Sequence, residues 1–200
     1  MESVINKRVR DFEKITDIAQ TIAIYLIALV VPTFLGKLIS SIFGVQSIVA
    51  QNSQIIVGSI VNTALIVSAM NLKGWKNIVG VITMPSISTI LSGYVFKSAS
   101  PYMAYMIPAI WIGNFALVYA YKLLMLGKNK NYFLAGIIGI IVKVAVIAGC
   151  FAVLNMFNIF PNKLVQNLQN AMTVVQIVTA TIGMFISYAI YKCENKKKNV

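Results

Sequence analysis

Lys143 is the residue whose chemistry most needs an explanation. It stands about a dozen residues from either end of the apolar run Tyr132–Asn155, where a buried cation costs at least about 2.5–3.5 kcal/mol on insertion scales. Gly136, Gly139, Lys143, Val146 and Cys150 share one face at helical spacing, so the ammonium is predicted to point into a bundle beside closely packed neighbours. Between residues 18 and 193 there is no carboxylate side chain to pair with it. Three environments fit: snorkelling to the membrane surface, hydrogen bonds to carbonyls or amides, or a counter-charge for an anionic ligand. Other apolar runs place polar groups at similar depth: Trp111 with Asn114, Thr173 with Gln176 and Thr179, Ser59 with Asn62, and Ser86 and Ser88 beside Pro85. One cation, several amides and hydroxyls and an indole face suit a small planar polar solute bearing a carboxylate or phosphate. The predicted binding set is Lys143, Asn114, Trp111, Gln176, Thr173 and Asn62. With no histidine and no nearby acid, neither acid/base catalysis nor a metal site is indicated, no cofactor is called for, and the chain reads as a binding protein rather than an enzyme.

The elements that must hold these groups follow from composition. Of 200 residues, 58 % are hydrophobic and 11 % charged, with a mean hydropathy of +0.81, which excludes a soluble enzyme. Six runs are long enough to cross a hydrocarbon core as helices: Ile18–Gly36, Ile55–Leu72, Asn77–Phe96, Tyr102–Tyr121, Tyr132–Asn155 and Ala171–Tyr191. They are too continuously apolar for barrel strands. The expected fold is therefore an all-α polytopic membrane protein, one six-helix domain over residues 1–200.

Orientation comes from the cations. With both termini cytoplasmic, the inner segments carry Lys7, Arg8, Arg10 and Lys14; Lys73 and Lys76; Lys122, Lys128 and Lys130; and Lys192 with Lys196, Lys197 and Lys198. The outer segments carry only Lys37, Lys97 and Lys163, the asymmetry of a cytoplasmic N-terminal segment (1–17) and a basic cytoplasmic tail (192–200). Tyrosines mark the same two interfaces, Tyr94, Tyr102 and Tyr105 on the outer side and Tyr119, Tyr121, Tyr132, Tyr188 and Tyr191 on the inner. The net charge of +12 is thus explained by topology and lipid contact, without a nucleic-acid partner. Cys150 and Cys193 fall on different sides of this scheme and are expected to be free thiols. The long outer connections, residues 37–54 and 156–170, are read either as cover over a site or as plain surface helices. No internal repeat supports an inverted-repeat transporter.

Near the cytoplasmic end of the first span, Ala19 and Ala23 in AQTIA form a small-xxx-small pair that allows another helix close approach. With six spans in 200 residues, cytoplasmic termini, long outer loops and no nucleotide-binding sequence, the chain resembles the substrate-binding S component of energy-coupling factor (ECF) vitamin transporters. Ala19 and Ala23 match that family's AxxxA element, and PYMAYMIPAIWIGNFALVYAYK is similar to its fourth helix in clostridial-type members. The resemblance implies a high-affinity binder in a bacterial plasma membrane that captures a vitamin or precursor from outside. It further implies docking through the two alanines onto a transmembrane coupling protein driven by two cytoplasmic ATPases. The alternatives are a stand-alone facilitator or channel-like protein, and a membrane enzyme or assembly factor.

Overall fold

A computed structural model describes residues 4–44, 47, 52–72, 74–93 and 95–198. The expected loop positions 45, 46 and 48–51, together with Lys73 and Tyr94, lie outside the described residues. The chain is helical, with no strand among the described residues. In order, α1 spans Val4–Val30, a π-type turn Val31–Leu35, α2 Gly36–Phe43, α3 Ser53–Asn71, α4 Trp75–Ser92, α5 Ser100–Met103, α6 Ile107–Ala120, a second π-type turn Tyr121–Gly127, α7 Tyr132–Met156, α8 Asn162–Met172 and α9 Val174–Lys198. Among the described residues, five helical stretches are long and apolar enough to cross a membrane, and a sixth, Asn77–Ser92, is apolar but shorter.

Several boundaries depart from the sequence reading, each for a local reason. The first span does not stop at Gly36 but continues to Phe43, because the chain accommodates Pro32 by widening one turn instead of breaking. At that wide turn, the hydroxyls of Thr33 and Ser88 lie 3.0 and 2.8 Å from the Leu29 carbonyl and within hydrogen-bond reach of each other, so that one donates to the carbonyl and the other is free to donate to its neighbour's oxygen. Ser88 is therefore a clasp between α1 and α4 and not part of a binding set. The third span ends at Ser92, not Phe96, because Gly93 adopts a left-handed conformation (φ 68°) that caps α4. The kink expected at Pro108 appears as a 3-10 turn, Ala104–Met106, after which Pro108 sits in the first turn of α6, where its missing N–H has no helical partner to lose. Within the connection 156–170, the surface-helix alternative is the one observed over most of its length. Asn162–Met172 form an amphipathic helix that buries Leu168, Ala171 and Met172 and turns Asn162, Lys163, Gln166 and Gln169 outward.

Two apolar cores result. At the end bearing Glu194, Tyr121, Leu65, Ile78, Val118 and Met184 pack together, and Tyr132 donates to or accepts from Ser187 at 2.6 Å. Asn71 of α3 donates to the Glu194 carboxylate at 3.1 Å there. At the opposite end Met103, Met106, Ile147, Phe151 and Leu168 form the second core, closed by Phe160 stacked on Phe151 at 5.0 Å. Between the cores, glycines bring helices into near contact. A Cβ at Gly183 of α9 would lie 2.7 Å from the Asn62 Cβ and 2.9 Å from the Thr63 backbone nitrogen of α3. One at Gly113 of α6 would lie 2.9 Å from Ile147 and 3.1 Å from the Lys143 carbonyl of α7. Small residues are what let membrane helices meet at this distance, and these two contacts fix the neighbourhood of Lys143.

Candidate functional site

Lys143 is buried, with 2 % of its surface exposed. Its Nζ donates to Asn62 Oδ1 at 2.5 Å. The Asn62 amide in turn donates to the Gly58 carbonyl at 2.9 Å and to Thr179 Oγ1 at 3.2 Å, so a polar relay links α7, α3 and α9 at mid-helix. Snorkelling, one of the three environments open to the ammonium, is thereby overturned: an amide acceptor lies within reach, and the close helix contact at Gly113 leaves the side chain inside. An ammonium carries three donors, yet Asn62 is its one acceptor among the described residues.

The relay borders a cavity with about 80 Å³ for the centres of water molecules, room for about five of them. Lys143, Asn62, Asn114 and Gln176, four of the six predicted residues, line it. Asn114 is held by donating to the Ile82 carbonyl at 3.3 Å, and Gln176 by donating to the Ala171 carbonyl at 3.4 Å. The other two predicted residues do not reach it. Trp111 precedes Asn114 by three positions, which rotates it toward the Glu194-end core; Ile110, four positions before Asn114, takes the cavity face instead. The Trp111 Nε1 is buried without a partner. Thr173 sits at the break between α8 and α9 and donates back to the Gln169 carbonyl at 2.7 Å.

Gln54 and Ser86 also line the cavity, and both the Gln54 Nε2 and the Ser86 Oγ are buried without a hydrogen-bond partner. Ser86 was visible in the sequence beside Pro85. Gln54 was placed in a loop, although Gln54, Gly58 and Asn62 follow one another at four-residue spacing and so share a face of α3. Val57, Val61, Ile90, Val95 and Phe96 supply apolar wall. No lining residue is acidic. A cavity with one under-satisfied cation, several amides and apolar walls can bind an anion. Among the described residues, no three of His, Cys, Asp and Glu come together, and Cys150 and Cys193 are free.

Ala19 and Ala23 lie on a different surface. Both are exposed on α1, flanked by exposed Ile15, Ile22 and Leu26. Compared with known proteins, the chain matches no protein-family model, no curated protein and no solved structure.

Proposed function

We propose that this chain captures a small water-soluble anion, of the size and kind of a vitamin or its precursor, from the outer side of a bacterial plasma membrane. Import then takes place in complex with an ATP-driven energy-coupling module. The observation that carries this reading is Lys143: a buried ammonium with one acceptor for three donors, opening on a cavity that contains no carboxylate. A purely structural lysine would be surrounded by acceptors, since leaving buried donors unmet costs about 1–3 kcal/mol each. An arriving anion supplies both the charge and the missing acceptors.

The setting is a six-span bundle with both termini cytoplasmic, supported by the concentration of Lys and Arg in the segments at the Glu194 end. The cavity then belongs to the outer half, bordered by Gln54, Val95 and Phe96. The sequence has neither a Walker A element nor an intramembrane carboxylate to couple protons or sodium, so the work of transport falls to partners. These are a transmembrane coupling protein, docked on the exposed Ala19 and Ala23, and two cytoplasmic ATPases. Two experiments test this together. The tagged chain, gently solubilised from its native membrane, is expected to bring down two ATP-binding proteins, and the chain alone in liposomes is expected to pass no solute. Unaided flux through the isolated chain would instead make it a facilitator.

A further inference from the structure

The charge and length of the cavity define its cargo more closely, on the reading that the chain captures an anion. One cation and no carboxylate line the site, so a single negative charge on the ligand is balanced and a second would remain buried and unpaired, as would the ammonium of an amino acid. The polar groups that could meet a ligand lie at two levels. Lys143 and Asn62 form the inner one, and Gln54 the outer, eight residues earlier on α3. Eight residues of helix rise about 12 Å, and a hydrogen bond takes about 3 Å at each end, leaving roughly 6 Å between the two ligand groups. Val57 and Val61 occupy the wall between these levels. The Gln54 Nε2 is a donor, and the Ser86 Oγ can donate; both are buried without partners.

We infer that the cavity is built for a singly charged carboxylate with an apolar middle and a neutral hydrogen-bond acceptor about 6 Å from the anionic group, held there by Gln54. Amino acids and dianionic phosphate esters are excluded by charge alone.

The test is calorimetric titration of the detergent-purified full chain with three probes of one length: hexanoate, 5-oxohexanoate and 6-aminohexanoate. The keto acid is expected to bind about five- to tenfold more tightly than hexanoate, the yield of one hydrogen bond to a donor otherwise left unmet. That advantage is expected to vanish in Gln54→Leu, with an unchanged helical circular-dichroism spectrum and thermal transition showing that the variant is folded. The amino acid is expected not to bind. Equal affinity of the two acids for the wild-type chain, with binding that still depends on Lys143, overturns the two-point arrangement and leaves anion capture standing. Binding of 6-aminohexanoate as tight as that of hexanoate overturns the charge argument. Binding of neither acid, or binding that persists in Lys143→Met, overturns the capture reading and this inference with it.

Discussion

Lys143→Met separates a lysine kept for a ligand from one kept for the fold. Methionine is unbranched and one heavy atom shorter than lysine, so it fills nearly the same space without the charge. Removing the ammonium recovers about 2.5–3.5 kcal/mol of insertion cost. Against this stands the bond to Asn62 Oδ1, worth about 1.5–3 kcal/mol for a charged donor. The two largely cancel, so the ligand-free variant is expected to differ from wild type by at most about 2 kcal/mol, or roughly 4–8 °C in Tm. Asn62→Leu does the reverse: it deletes the one acceptor and strands the cation, for an expected loss of about 3–5 kcal/mol. Thermal unfolding of both variants in detergent, followed by the fluorescence of Trp75 and Trp111, measures the contrast. A drop of more than about 10 °C in Lys143→Met would refute the reasoning, because it would make the ammonium a keystone of packing whose charge serves the fold.

The close contact of α9 with α3 predicts that Gly183→Ala, whose new methyl would meet Asn62 and the Thr63 backbone, costs about 1–3 kcal/mol and weakens ligand binding by displacing Asn62; Gly149→Ala, with nothing within 4 Å, should leave both unchanged. Ala19→Leu or Ala23→Leu, on the uncovered face of α1, should spare binding in detergent but abolish uptake by cells, and normal uptake in both would remove the docking assignment. The exposed thiol of Cys193 should react with a membrane-impermeant maleimide only after cells are permeabilised; labelling of intact cells would invert the topology.

What the sequence made legible was whatever a long apolar run or a single costly residue announces. The helical class follows from runs such as Tyr132–Asn155, whose helix ends at Met156, and Lys143 stands out because nothing nearby can neutralise it. What it hid depended on rotation and on short-range geometry. Trp111 and Asn114 are three residues apart, close enough to seem one face, yet the turn sends the indole to a different core while Ile110 borders the cavity. Thr173 has the right spacing from Gln176 and Thr179 only if the helix runs through it, and it breaks there. The first span reads as ending at Gly36, but a wide turn at Pro32 lined by two hydroxyls leads into helix that runs on to Phe43. Gln54 was obscured because its neighbours look like loop, although its four-residue spacing to Gly58 and Asn62 was available.

The central claim is that Lys143 awaits an anion, and native mass spectrometry of the chain released from its own membrane tests it most directly. The account predicts a population of wild-type protein carrying one small acidic molecule, absent from Lys143→Met prepared in the same way. A bound molecule retained equally by both proteins, or one that is cationic, would contradict it.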